Sequence, residues 1–358
     1  MVQLEKQGAF LRVSFTGPAM HYMDRGAGYG EAAYHIYKSF KILGVDVSLH
    51  SEHADIEICF ADPGNYKFYD SSSYKIGYSA WESTEMSQDF KKNISYCDEI
   101  WGTSHWITDI YKNLFPGKKV FTYQHGISES WKPKLRKEAN KPFTFFHIGE
   151  PYNRKDAQMV VDAFVELFGN NPNYRLVLKC TRMNTTRVRH PRGFDCSPSA
   201  AYDNIIEISG MLSEEQMLGL YEQTDVFVYP SWGEGFGFQP LQALAMGMPV
   251  ICVDAWADYK EFITWPVDSK WEISPWQDKH PGYMVKPNYN TLKKQMREAV
   301  DNYNQVLPET FRNAFAIHQK FDWIQVTKPA VARLKEIYSN IVLEQKYFNL
   351  EDLKKRSW

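Results

Sequence analysis

A glycine-rich loop between two apolar runs carries the clearest chemical pattern in the sequence. Residues 225–253 read DVFVYPSWGEGFGFQPLQALAMGMPVICV. The uninterrupted apolar runs Val226–Tyr229 and Val250–Val253 predict parallel strands that are covered on both faces. Between them, an apolar stripe predicts a short helix with Pro240 at its first position and Gly247 just beyond its end.

The entrance of this predicted helix can bind an anion. Gly233, Gly235 and Gly237 allow the backbone to approach a ligand closely. The free N–H groups and the positive dipole end of a helix can then receive a diphosphate. Glu234 lies inside the loop and can accept hydrogen bonds from sugar hydroxyls, although a solvated loop acid is the simpler interpretation. The loop therefore predicts a site for a sugar attached to a diphosphate.

The segment GEGFGFQPLQALAMGMPVI resembles the donor-sugar motif of the family 4 retaining glycosyltransferases, which have the GT-B fold. That motif has two glutamates eight positions apart, and this sequence has Glu234 at the first position and Gln242 at the second. The resemblance implies that Glu234 contacts the transferred sugar and that residue 242 contacts the ribose of the nucleotide. An amide there still forms hydrogen bonds, but it lacks the charge that makes them strong. The donor contacts implied between these two positions are Gly235, Phe236, Gly237 and Phe238.

The rest of the chain fits a two-domain enzyme. At 358 residues it is long enough for two ordinary domains, and 44% apolar with 23% charged residues is a globular composition. Alternating predicted strands and helices indicate an α/β fold with doubly wound parallel sheets. We expect two Rossmann-like domains facing a cleft, the GT-B arrangement, over residues 1–135 and 143–325, with 326–358 packing back on the first. The charged segment Trp131–Pro142 is the expected linker, and the aromatic-rich segment Trp256–Pro287 is expected to be irregular.

Charge and cysteine content exclude some function classes. A net charge of −2 provides no general basic field for nucleic acid or an acidic membrane. No apolar run approaches the roughly 18 residues of a membrane span, and the start resembles no signal peptide, so we expect a cytoplasmic protein without a transmembrane segment. The cysteines lack metal-ligand spacing and are expected to be reduced packing residues. They are Cys59, Cys97, Cys180, Cys196 and Cys252.

Two cations follow the predicted strand Phe143–Ile148. Arg154 and Lys155 precede an amphipathic segment and resemble the family's Arg-Lys pair, whose lysine binds the donor diphosphate and would neutralise charge on the leaving group. A second family position, usually basic, is Glu150 here, which leaves more of the phosphate contact to Arg154. The alternative is an exposed basic turn.

Three polar residues of the first half follow predicted strands. Open parallel sheets bind ligands beyond the carboxyl ends of their strands, so Glu82, Ser104 and His125 are expected to face the cleft. The segment YSAWESTEM resembles the aromatic-Glu-Ser triplet found at the cleft edge in part of the family, where Glu82 could orient the acceptor hydroxyl. Glu82 could equally be a helix-start acid, and His125 could be structural or catalytic.

Two further segments complete the expected donor site. The family's first strand-helix loop is glycine-rich and closes over the sugar, and Gly26, Gly28 and Gly30 occupy it here; a purely structural turn is the alternative. The family's backbone meets the nucleobase at the position of Met211 and Leu212.

One basic cluster stands apart from these motifs. It is a solvated loop, or it binds a phosphate-bearing acceptor or nucleic acid. Its members are Arg182, Arg187, Arg189, His190 and Arg192.

Together these patterns predict a retaining, metal-independent hexosyl- or pentosyltransferase that uses a nucleotide-sugar donor and no cofactor. UDP- and GDP-linked donors stay open, and the acceptor is a glycan, lipid, protein or DNA. The alternatives are a DNA-base (hydroxymethyl-pyrimidine) glycosyltransferase, a sugar-nucleotide epimerase or phosphorylase, and a catalytically weak sugar-nucleotide-binding subunit.

Overall fold

Two parallel sheets form the framework of the protein. The computed structural model describes residues 11–23, 28–150, 153–182 and 185–355. Over this part of the chain, each sheet has six strands that all pair in parallel, with helices packed against them. The predicted α/β architecture of two Rossmann-like domains is confirmed.

The N-terminal sheet has the strand order β2-β1-β3-β4-β5-β6. Its strands are β1 Arg12–Thr16, β2 Asp46–Leu49, β3 Ile56–Phe60, β4 Tyr74–Ser79, β5 Glu99–Gly102 and β6 Lys119–Thr122. Its helices are α1 Tyr29–Ile42, α2 Gln88–Ser95 and α3 His105–Leu114. The residues of β3 and β5 are buried throughout, as parallel strands between helical layers require.

The C-terminal sheet has the order β11-β8-β7-β12-β13-β14, and a two-stranded antiparallel pair, β9 with β10, lies beside it. The strands are β7 Phe143–Ile148, β8 Tyr174–Lys179, β9 Val188–Arg189, β10 Asp195–Cys196, β11 Ile205–Ile208, β12 Val226–Tyr229, β13 Val250–Val253 and β14 Trp265–Val267. The helices are α4 Ala157–Phe168, α5 Pro198–Ala201, α6 Glu214–Gln223 and α7 Phe238–Ala245.

The segment predicted to be irregular, Trp256–Pro287, is the main error of the sequence analysis. It contains β14 and an antiparallel hairpin of β15 Ser269–Ile273 with β16 Tyr283–Pro287. Much of β15 is exposed, so the segment has no continuous apolar run to reveal a strand.

Two helix boundaries also differ from expectation. Helix α7 begins two residues before Pro240, because Gly237 adopts φ 79° and serves as its N-cap. The sequence also predicts a helix near Thr291–Tyr303. In the structure this helix is α8, Tyr289–Phe321, which continues through Pro308, and α9, Trp323–Lys355, follows it. In the part of the chain that the structure describes, no helix combines the length and apolar composition needed to cross a membrane.

Helix α9 packs on the N-terminal domain. Leu334 and Ile337 are buried in the same core as α1 and the first sheet. Arg333 Nη2 lies 2.6 Å from Glu99 Oε2, and Nε donates to Glu99 Oε1 at 3.1 Å. The Glu99 side chain is only 1% exposed, so the ion pair joins the last helix to the sheet interior.

Arg333→Ala is expected to lower the free energy of unfolding by about 3–5 kcal/mol, because it leaves the buried Glu99 carboxylate without its counterion. Urea unfolding would measure this, with the exposed Arg312→Ala as the matched control. An unchanged unfolding midpoint in Arg333→Ala would show that the ion pair does not stabilise the docked helix.

Candidate active site

The two domains meet directly at the glycine-rich loop. Thr103, just after β5, donates its Oγ1 hydrogen to the carbonyl of Gly235 at 2.6 Å. A Cβ added to Gly235 would lie 2.3 Å from the Cβ of Ala80, and one added to Gly233 would lie 2.8 Å from the Glu82 carbonyl oxygen. These glycines therefore allow close contact between the domains, in addition to any role in ligand approach.

Gly237 has a different reason to be glycine. Its positive φ is strained for other residues, and a Cβ would lie 2.5 Å from both Trp256 Cζ3 and the Tyr259 hydroxyl oxygen. The turn at Gly237 starts α7 and places Phe238 at its first residue, with Phe236 buried before it.

Glu234 is the centre of a buried cluster. Its Oε1 accepts hydrogen bonds from Arg154 Nη1 at 2.8 Å, Lys155 Nζ at 2.6 Å, Ser231 Oγ at 2.5 Å and the Tyr229 hydroxyl at 3.1 Å. Glu234 is 5% exposed and Lys155 8% exposed. Neither the solvated acid nor the exposed basic turn considered for these residues describes this arrangement. The strand β12 and the turn before α4 bring the five side chains together.

Burial and charge determine the protonation of this cluster. Burial alone would raise the pKa of Glu234, but Arg154 and Lys155 lower it to about 2. Burial lowers the pKa of Lys155 to about 8, opposed by the Glu234 carboxylate. Burial also acts against the Arg154 guanidinium, yet Glu234 and Glu82 raise its pKa above the ordinary value. At neutral pH the cluster therefore holds an ionised glutamate between two cations.

Glu82 extends the cluster across the domain boundary. Arg154 Nη2 donates to Glu82 Oε1 at 3.0 Å, and His280 Nε2 lies 3.4 Å from Glu82 Oε2. His280, in the turn of the β15–β16 hairpin, also packs against Trp81, with ring centroids 4.6 Å apart at an interplanar angle of 45°. Glu82 precedes Ser87, the N-cap of α2, by five positions, so the helix-start alternative does not apply. No motif in the sequence indicated His280, because its hairpin was not predicted.

His125 lies in an aromatic enclosure beside the start of α7. Its ring stacks on Phe238 with centroids 5.2 Å apart and packs against Phe236 and Trp323. Burial lowers its pKa to about 3, so the ring is neutral. Within the described residues, neither ring nitrogen has a hydrogen-bond partner. Such buried groups cost stability unless a ligand or water satisfies them.

Gln242 is buried on the helix side of the loop. The Tyr221 hydroxyl donates to Gln242 Oε1 at 3.4 Å and to the Gln239 carbonyl at 3.3 Å. Burial raises the pKa of Tyr221, and the Glu31 carboxylate of α1 adds to that shift. The partner of Gln242, Tyr221, is thus influenced by an acid of the opposite domain, and the structure does not bring Gln242 into the Glu234 cluster.

The remaining predicted positions are more open. Met211 is 66% exposed and Leu212 is half-buried, both before α6. Gly28 is exposed at the N-cap of α1 with φ 53°, whereas Gly26 lies outside the described residues. Glu150 Oε1 accepts the backbone N–H of residue 181 at 2.9 Å. The predicted basic loop contains β9 and remains largely exposed.

Comparisons with known proteins find glycosyltransferases among the similar sequences. Residues 142–301 match the family model described as glycosyl transferases group 1. The phosphatidylinositol N-acetylglucosaminyltransferase gpi3 subunit of Schizosaccharomyces pombe is 19% identical over 325 residues, covering 89% of this chain and 63% of that protein. The uncharacterized glycosyltransferase 335 of Sulfolobus islandicus rod-shaped virus 1 is 26% identical over 194 residues, covering 51% of this chain and 55% of that protein.

The solved structure of sucrose-phosphate synthase from Thermosynechococcus elongatus is similar in fold. It has a TM-score of 0.62 at 13% identity, and the alignment covers 92% of this chain and 99% of that chain. The chain spans less than two thirds of the length of the two curated relatives named above. The fold is therefore GT-B, and residues 142–301 are similar in sequence to the group 1 glycosyl transferases.

Proposed function

We propose that this protein transfers a sugar from a nucleotide-sugar donor to an acceptor hydroxyl with retention of the anomeric configuration. The observation that supports this most directly is the cluster in which Glu234 is held by Arg154 and Lys155, opposite Glu82 of the other domain. Both sets of residues follow the carboxyl ends of parallel strands, where open sheets bind ligands. The family match of residues 142–301 adds independent support.

The two cations account for leaving-group stabilisation. When the sugar–phosphate bond breaks, the departing diphosphate gains negative charge, and Arg154 and Lys155 are already fixed and desolvated beside it. The N–H groups at the start of α7 add the positive end of a helix dipole. In this proposal the diphosphate takes over hydrogen bonds that Glu234 accepts in the present structure, and Glu234 turns to the sugar hydroxyls. Among the residues that the structure describes, every side chain that donates a hydrogen bond to the Glu234 carboxylate donates it to Oε1.

Retention follows if the acceptor attacks from the face that the diphosphate leaves. The acceptor oxygen forms a bond to the anomeric carbon, and the bond between the anomeric carbon and the donor's phosphate oxygen breaks. The acceptor proton passes to that departing phosphate oxygen. No protein nucleophile takes part. Glu82, held by Arg154 and His280, accepts a hydrogen bond from the acceptor hydroxyl and orients it.

A thermal-shift panel of UDP- and GDP-linked sugars tests the donor class. A ligand that binds the folded state raises its stability according to the ratio of concentration to Kd, so a donor is recognisable without an acceptor. Mass spectrometry of the product and the NMR coupling constant of its anomeric proton then test transfer and retention. Donor binding without any donor consumption would support the sugar-nucleotide-binding subunit instead.

The value of kcat/KM for the donor is expected to fall as the pH rises through about 8, where Lys155 in the free enzyme loses its proton. The stability contribution of this lysine changes in the opposite direction. The pKa of Lys155 in the folded protein is below the ordinary 10.5, so the unfolded chain binds more protons between about pH 8 and pH 10.5. The free energy of unfolding therefore increases as the pH rises through that interval. Lys155→Arg stays charged and should lose this pH dependence. An identical profile in Lys155→Arg would assign the ionisation to another group.

Gln242→Glu is expected to weaken donor binding above about pH 7, because Glu31 of α1, whose pKa burial raises to about 7, is then ionised and acts on Tyr221, the partner of Gln242. The new buried carboxyl should also have a raised pKa. Its folded form would then bind a proton that the unfolded chain releases, so the variant should lose stability relative to wild type as the pH rises from about 4. Calorimetric titration and thermal unfolding at pH 5 and pH 8 measure both effects. Unchanged donor affinity would place Gln242 outside the donor site.

A further inference from the structure

The hairpin β15–β16 is fixed between the domains beside the Glu234 cluster. The backbone N–H of Val285 donates to the carbonyl of Trp232 at 2.9 Å, two residues before Glu234. On the other side, Thr84 of the N-terminal domain donates its backbone N–H to the Tyr283 carbonyl at 3.1 Å and accepts the Tyr283 N–H at its Oγ1 at 2.9 Å. The hairpin therefore has a defined position at the rim of the site.

Two tryptophans lead from the buried cluster to the surface at this rim. The Cη2 atom of Trp106, on α3, would lie 3.2 Å from a Cβ added to Gly233, the neighbour of Glu234. Trp271, on β15, lies with its ring nearly parallel to Trp106, at an interplanar angle of 11° and a centroid separation of 6.3 Å. Trp271 is 52% exposed. One ring comes from each domain.

The exposed face of the hairpin continues this surface. Ile273 and Tyr283 are partners in the antiparallel register, so their side chains lie on the same face, and they are 61% and 52% exposed. Exposed apolar surface of this kind marks a binding site more often than scattered single residues do. Lys270 and Glu272, on the same strand as Trp271, form an ion pair at 3.2 Å, so this pair adds no net positive charge that would attract an anionic membrane.

We propose that Trp106, Trp271 and Tyr283 form a platform that binds the sugar rings of an oligosaccharide acceptor. The inference rests on the proposed transferase function. A pyranose ring has an apolar face of C–H groups and a rim of hydroxyls. The negative face of an aromatic ring attracts such C–H groups, and the Tyr283 hydroxyl can bind the sugar hydroxyls. The continuity from Glu234 through Gly233 and Trp106 to Trp271 favours a carbohydrate substrate over an unrelated protein partner.

Direct binding to defined carbohydrates tests the platform. The probes are hexasaccharides of glucose, of mannose and of N-acetylglucosamine, with vesicles of neutral and anionic phospholipid in parallel. Saturation-transfer NMR and indole fluorescence measure binding to wild type, Trp271→Ala, Trp271→Phe and the control Phe315→Ala, whose side chain is 56% exposed on α8. At least one hexasaccharide should bind to the wild type. The same hexasaccharide should bind about 10-fold more weakly to Trp271→Ala and with nearly normal affinity to Phe315→Ala. Trp271→Phe should fall between, because it keeps an aromatic face.

Three results would overturn the platform: no binding of any hexasaccharide to wild type, equal binding to folded Trp271→Ala, or binding of vesicles alone. Circular dichroism and thermal unfolding establish that Trp271→Ala is folded, and Trp271→Phe provides the test if it is not. Donor consumption by the wild type is measured separately. Donor turnover without hexasaccharide binding rejects the platform and leaves the proposed function intact. Hexasaccharide binding lost in Trp271→Ala, without donor binding or turnover, rejects the transferase and leaves a carbohydrate-binding surface.

Discussion

Glu234→Gln is expected to lower kcat/KM for sugar transfer by about 100-fold, which corresponds to about 2.7 kcal/mol of transition-state stabilisation. The amide keeps the shape of the side chain but removes the charge that strengthens its hydrogen bonds to the sugar and orders Arg154 and Lys155. Initial rates with the donor identified in the thermal-shift panel measure the loss. The matched control is Glu138→Gln at an exposed position. Full activity in a folded Glu234→Gln variant would show that Glu234 is not a sugar ligand.

Glu234→Ala is expected to lower activity and stability by more than the position of Glu234 in a loop suggests. Glu234 is buried between two cations, and removing it leaves both without their shared counterion. Losing one partner of a buried ion pair typically costs about 3–5 kcal/mol of stability. Glu234→Ala should therefore reduce both the transfer rate and the unfolding midpoint, and Glu234→Gln, which removes the same charge, should lower the midpoint less because its amide oxygen still accepts hydrogen bonds.

Lys155→Met is the second change with a large expected effect. Methionine has a similar length but no charge, so donor Kd should rise about 10-fold, and kcat should fall by a further 10-fold or more as the diphosphate leaves. Arg154→Ala should weaken donor binding in the same direction, and it also removes the contact with Glu82 between the domains. Donor titration and single-turnover rates distinguish the binding loss from the catalytic loss.

The control for this experiment is the exposed Lys132→Met, which should behave as wild type. Rates are measured with and without a chelator of divalent metals, since fixed cations are proposed to take the place of a metal. Activity that needs added metal and survives the loss of both Arg154 and Lys155 would contradict the metal-independent mechanism.

Much of the fold could be predicted because its signals are local. Parallel strands buried on both faces leave continuous apolar runs, and Val226–Tyr229 and Val250–Val253 are strands with the predicted bounds. The prediction failed where a local rule was overridden. The α8 helix continues through Pro308, and the exposed hairpin β15–β16 has too little apolar character to be recognised as strands.

The sequence by itself determined the two-domain α/β organisation, because the periodicity of strands and helices is a property of neighbouring residues, and the resemblance to the glycosyltransferase motifs related Glu234, Arg154 and Lys155 to one another. Only the tertiary structure decided their arrangement. Arg154 reaches Glu82 over a separation of 72 residues, and no local pattern records that contact. The meeting of four donors at Glu234 Oε1 likewise exists only in the folded protein. The lowered pKa of Lys155 depends on desolvation. Desolvation arises because the folded protein excludes water from charges that the unfolded chain leaves solvated.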